Sequence, residues 1–105
     1  MTSPSPTPDE SGHVDVVDTP EAQRYEARVG GTLAAFAEYR LRPGRIIFTH
    51  TETDPAFRGH GVADVLVRAA LDDARRRGLA VTALCPYVAG WIDRHPDYAD
   101  LSGGS

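Results

Sequence analysis

Between Arg45 and Arg77 an apolar strand runs into the bend Arg58-Gly59-His60-Gly61-Val62-Ala63 and then into one long amphipathic helix. Gly78 follows, and after it a short apolar run from Leu79 to Cys85. Two strands separated by one helix and tight connections have to lie parallel, with the helix crossing one face of the sheet. The fold class that follows is α/β. Periodicity predicts the helix over 61–77, with Val62, Val65, Leu66, Ala69 and Ala70 facing the core and Asp64, Arg68, Asp72 and Arg76 facing solvent. Arg75, Arg76 and Arg77 suit the negative end of its dipole, and Gly78 is placed to end it.

Upstream, the pattern has a period of two. Ala22 to Val29 alternates Tyr25, Ala27 and Val29 against Arg24, Glu26 and Arg28, and Gly30-Gly31 supplies a two-residue hairpin turn. Thr32 to Leu41 continues with Leu33, Ala35, Ala37, Tyr39 and Leu41 on one face, before Arg42-Pro43-Gly44-Arg45 turns into the strand Ile46 to Thr53. Simple alternation there puts Ile46, Phe48, His50 and Glu52 on one side and Ile47, Thr49, Thr51 and Thr53 on the other. Val14, Val16 and Val17 give a marginal edge strand, closed by a turn at Asp18-Thr19-Pro20-Glu21. An antiparallel meander joined to a βαβ unit is expected, in one mixed sheet with two main helices. The second helix starts at Pro86 and ends before His95-Pro96.

Residues 1–12 are Pro, Ser, Thr, Asp and Glu with almost nothing apolar, a composition that reads as a disordered tail. A single domain over 13–101 and a flexible C-terminus at 102–105 complete the expected organisation. All eleven basic residues of the 105 are arginine, the formal charge is −4, and no basic run is longer than the three arginines at the end of the helix, which argues against a nucleic-acid surface. No apolar run is long enough to span a bilayer and no signal-peptide core is present, so the chain reads as cytoplasmic, without a membrane partner. Cys85 is the one cysteine, and no close pair of His or Cys at ligand spacing points to a metal.

In an open α/β sheet ligands dock beyond the carboxyl ends of parallel strands, here Glu52-Thr53 and Leu84-Cys85. Both ends converge on the glycine bend. That bend lets a ligand approach the backbone closely and presents first-turn N–H groups to an anion, as a pyrophosphate requires. A dinucleotide site wants a third glycine and an acid about 20 residues on, and a nucleotide P-loop wants lysine; neither is here. Cys85 precedes a helix N-terminus, where the dipole favours thiolate, although a lone cysteine also packs well as a small apolar residue. His50 and Glu52 share a strand face at a spacing that makes an acid–base pair, or a hydrogen-bonded pair with no chemistry. His60 reads as solvent-facing, His95 as closing the last helix, and Tyr87, Trp91 and Ile92 as core or pocket lining.

Taken together, these motifs resemble a known family. Arg58-x-x-Gly61-x-Ala63 between strand and helix resembles the pyrophosphate-binding motif of the GNAT superfamily of acyl-CoA-dependent N-acyltransferases. His50-Thr51-Glu52, the glycine loop, Cys85-Pro86-Tyr87-Val88-Ala89 and Arg94-His95-Pro96-x-Tyr98 are similar to its minimal subfamily of roughly a hundred residues. The resemblance covers about residues 20 to 101 and four motifs in order.

It implies that acetyl-CoA, as co-substrate, lays its pyrophosphate on the loop formed by Arg58, Gly59, His60, Gly61, Val62 and Ala63. The pantetheine arm then extends like a further strand toward Cys85, where an amine acceptor attacks the thioester with His50 or Glu52 as base. Trp91 aligns where larger relatives place a proton-donating tyrosine, and an indole N–H is too weak an acid for that task. The resemblance assigns Cys85 one of two roles, nucleophile or proton donor. The short turns at Gly30-Gly31 and Arg42 to Arg45 leave no room for the acceptor-binding helices of larger relatives. A module that binds acyl-CoA without transferring its acyl group is the alternative.

Overall fold

The computed structural model describes residues 13–103; the expected tail at 1–12 and the last two residues lie outside them. Five strands form one mixed sheet in chain order: β1 (Asp15–Thr19), β2 (Arg24–Val29), β3 (Thr32–Arg42), β4 (Arg45–Thr53) and β5 (Ala80–Ala83). The first four pair antiparallel and β5 joins β4 in parallel, which is the expected meander plus βαβ unit. Gly30 and Gly31 take φ of 59° and 85°, the left-handed pair that a tight hairpin needs. Three helices follow: α1 (Val62–Arg76), α2 (Pro86–Asp93) and α3 (Ala99–Gly103), the last taking in Ser102 and Gly103. Their apolar residues share one core with Tyr25, Ala37, Phe48 and Val81, all on the same face of the sheet.

Helix α1 ends as its sequence foretells. The Leu79 and Gly78 amides donate to the carbonyls of Ala74 and Arg75, closing the last turn over a left-handed glycine. Its buried face, however, is Val62, Leu66, Val67, Ala70, Leu71 and Ala74, while Val65 stays 37% exposed. The stripe expected to meet solvent is instead the seat of the C-terminal segment. Asp64 accepts from the Trp91 indole at 2.7 Å, Asp72 accepts from the Tyr98 hydroxyl at 2.8 Å, and the Arg68 guanidinium lies 5.1 Å from the Trp91 ring centre. A charge-assisted hydrogen bond of this kind contributes about 1.5–3 kcal/mol, enough to turn a polar stripe into a packing surface. Of the four residues Arg68 and Arg76 are exposed as expected, Arg68 while lying over the Trp91 ring and Arg76 paired with Asp73. Tyr98, buried against this surface, and Leu101, buried in the core, lie on elements beyond His95-Pro96 that the sequence pattern does not announce.

One irregularity decides the geometry of the site. Along the β3–β4 ladder Tyr39 faces Phe48, but the next residue of β3, Glu38, faces His50, so Thr49 is an extra residue in β4. A one-residue bulge exchanges the two faces of everything beyond it. Ile46 and Phe48 are fully buried, and past the bulge it is Thr51 and Thr53, opposite Ala37 and Ala35, that continue the inner face. His50 and Glu52 therefore do not lie beside Phe48; they share the outer face with Phe36, 6.2 Å between the Phe36 and His50 ring centres.

Candidate active site

Between β4 and β5 the sheet comes apart. Their pairing runs from Arg45–Ala80 to Phe48–Ala83 and stops, with the Phe48 carbonyl accepting from both Leu84 and Cys85 amides at 3.0 Å. Beyond it β4 continues to Thr53 with β3 on one side and, among the described residues, no strand on the other. A proline at the first position of α2 and the extended Cys85 before it turn the chain away from β4 at this point. The result is a wedge-shaped opening at the carboxyl ends of the two parallel strands.

The glycine bend closes the far end of β4. Asp54 stops the strand by accepting the Ala56 amide at 2.8 Å, starting a short 3-10 turn over Pro55–Phe57. Arg58 and His60 amides then go to the carbonyls of Pro55 and Phe57. The amides of Gly59, Gly61, Val62, Ala63 and Asp64 have no protein acceptor among the described residues, since the first helical bond is from Val65 to Gly61. Two of the six loop residues named from sequence thus have their N–H already engaged, and Asp64 adds one that was not named. Gly61 holds φ of 75°, which a residue with a Cβ adopts only with strain, and a Cβ built there meets no atom within 4 Å. The requirement for glycine is therefore backbone shape and an unobstructed approach.

A cavity of about 240 Å³ lies against these amides, lined also by Thr53, Phe57, Arg58 and Tyr87. Positive potential comes from the Arg58 guanidinium and from the α1 N-terminus, worth roughly half a charge. Asp64 opposes it, but its carboxylate is held by the Trp91 indole. Burial first, and the nearby Asp64 second, push the Tyr87 phenol above its ordinary pKa, while Arg94 pulls the other way. Tyr87 is thus a neutral hydrogen-bond donor at neutral pH. His60 is exposed, as expected.

The remaining candidates separate onto two faces. Cys85 is 3% exposed and does not line the cavity; its thiol donates to Thr51 Oγ1 at 3.3 Å. His50 and Glu52 contact each other at 3.2 Å, both largely exposed on the outer face. The bulge that brings Thr51 to Cys85 is what keeps His50 away from it. Trp91 is fully buried, stacked 3.7 Å from His95, whose Nδ1 donates to the Trp91 carbonyl at 2.7 Å. His95 closes α2 as foreseen, and Trp91 is a structural residue with its one proton committed to Asp64. Thr51 is the site residue missed in sequence, because nothing in a run of alternating threonines marks where a bulge falls.

No curated protein matches the chain. Among solved structures it resembles Ard1 from Thermoplasma volcanium, with a TM-score of 0.53 and 22% identity over 63% of this chain and 45% of that one. The likeness is one of fold, and the chain matches less than half of the Ard1 chain. Residues 24–101, from the start of β2 into α3, match the family model described as GCN5-related N-acetyl-transferase. With about three quarters of its length inside that match, the chain belongs to the GCN5-related N-acetyltransferase family.

Proposed function

We propose that this domain transfers an acetyl group from acetyl-CoA to a primary amine. The observation that carries the reading is the row of unpaired amides at Gly59 and Gly61 to Asp64, set beside the opening between β4 and β5. Five convergent N–H donors at a helix N-terminus bind a pyrophosphate without needing lysine. From there the free edge of β4, Thr49 to Thr53, offers main-chain groups to the amides of a pantetheine arm, in the manner of an added strand. Family membership supports acetyl transfer in general; acetyl-CoA as donor and an amine as acceptor are the finer statements proposed here.

The acyl carbon then lies in the plane of the sheet, flanked by different groups on its two faces. His50 and Glu52 on the outer face are positioned to take the proton of an incoming ammonium group, directly or through one water. No helix covers that face among the described residues, so the acceptor approaches from solvent. The inner face offers Thr51 and, behind it, the Cys85 thiol.

Replacing Gly61 with valine tests the donor site. Calorimetric titration should show wild type binding coenzyme A and Gly61→Val binding it at least about tenfold more weakly, since a side chain would stand where the phosphate docks. Equal affinities would remove the loop from the site. The second reading, a module that binds acyl-CoA without transfer, draws on Cys85 being 3% exposed and on Trp91 having no free proton. Release of free thiol from acetyl-CoA in the presence of a panel of amines separates the two: amine-dependent release supports transfer, and binding without release supports the module.

A further inference from the structure

Trp91 is committed to Asp64, so the transferase reading needs another group to protonate the departing thiolate. We propose that Thr51 supplies that proton and that Cys85 acts through Thr51 instead of attacking the thioester; the proposal rests on the transferase reading.

Three observations converge on this pair. The bulge at Thr49 turns Thr51 to the inner face, within the part of β4 that has lost β5. Thr51 is only half-buried whereas Cys85 is 3% exposed, so the hydroxyl is the more accessible of the two groups. And Thr51 Oγ1 accepts the Cys85 S–H at 3.3 Å while its own O–H has no acceptor among the described residues. One route to a nucleophilic cysteine is an adjacent base that takes its proton. Among the described residues Cys85 has no such base: its side-chain partner is a neutral hydroxyl, and His50 lies on the opposite face of the sheet.

The step balances as direct transfer. The amine nitrogen forms a bond to the acyl carbon, and the carbon–sulfur bond breaks with its electron pair on the sulfur of coenzyme A. The excess proton on nitrogen passes to the outer-face base. The Thr51 O–H proton goes to the departing sulfur and the Cys85 S–H proton replaces it on Thr51 Oγ1. Cys85, left as thiolate, recovers a proton from solvent before the next turnover.

Four variants of the full chain decide the matter: Thr51→Val, Thr51→Ser, Cys85→Ala and the double variant Thr51→Val/Cys85→Ala. With coenzyme A affinity held within about twofold, Thr51→Val should lower kcat by about tenfold or more, and Thr51→Ser should recover most of it. The double variant should be no slower than Thr51→Val alone, because the two groups act in series. Cys85→Ala alone should lower kcat by no more than Thr51→Val does, with coenzyme A affinity unchanged. Intact-protein mass spectrometry after rapid quench should find no acetyl group on Cys85. Wild-type kcat in Thr51→Val, multiplied defects in the double variant, or an acetylated Cys85 would each overturn the relay. If valine itself is poorly accommodated, seen as lost coenzyme A binding, Thr51→Ala removes the same hydroxyl from a smaller side chain and carries the comparison. Failure of wild type to turn over any amine sinks the transferase reading itself, a result distinct from active enzyme with an indifferent Thr51.

Discussion

The two halves of β4 are built for different purposes. From Ile46 to Phe48 the strand has neighbours on both edges and buries its inward side chains completely. From Thr49 to Thr53 it has one neighbour, and polar side chains stand on both faces. A single inserted residue at Thr49 separates them. The lesson is that the core half supplies rigidity on which a polar, half-paired half can be held open to a ligand, so damage to the two should be felt in different measurements.

The sharpest way to break that contrast is Phe48→Ala. Phe48 is 1% exposed and packs against Tyr25 and Tyr39, with ring centres 6.3 and 6.4 Å away. Removing it should cost about 3–5 kcal/mol in urea unfolding, a large share of the stability of so small a domain. A loss under about 1 kcal/mol would mean the first half is not the core. Beyond the bulge, His50→Ala and Glu52→Gln should leave unfolding within about 0.5 kcal/mol of wild type. Turnover, by contrast, should fall by about tenfold or more in at least one of them. Unchanged kcat in both would place the base elsewhere.

The smallest effect is expected outside β4, at Asp64 near the start of α1. Its carboxylate stands at the start of α1 among the anion-binding amides, and Asp64→Asn removes that charge while keeping an oxygen for the Trp91 indole. Coenzyme A should bind about threefold more tightly to this variant. Weaker binding would show that the carboxylate helps to shape the loop.

What could be read from the sequence follows the same division. Local signals with one physical meaning were legible: the Gly30-Gly31 hairpin, the strand stop at Asp54-Pro55, the glycine that ends α1 and the proline that begins α2. Each depends on a backbone conformation that few residues adopt. Features set by a partner elsewhere in the chain were not. Thr49 carries no mark of being an extra residue, because the bulge is defined by the register against Glu38 and Tyr39. Asp64, Arg68 and Asp72 look like a solvated stripe until Trp91 and Tyr98 arrive to bond with them. The glycines mark the loop as a bend, but which of its amides are free depends on the hydrogen bonds from Arg58 to Pro55 and from His60 to Phe57, which the glycine spacing does not disclose.

The central claim is that a defined set of main-chain amides grips the diphosphate of coenzyme A. Titration of the isotopically labelled protein with coenzyme A, followed by amide NMR, tests it most directly. The largest shifts are expected at Gly59, Gly61, Val62, Ala63 and Asp64, with smaller ones at Arg58 and His60, whose N–H groups already serve the carbonyls of Pro55 and Phe57. Saturable binding that leaves Gly61 to Asp64 unmoved would contradict the account.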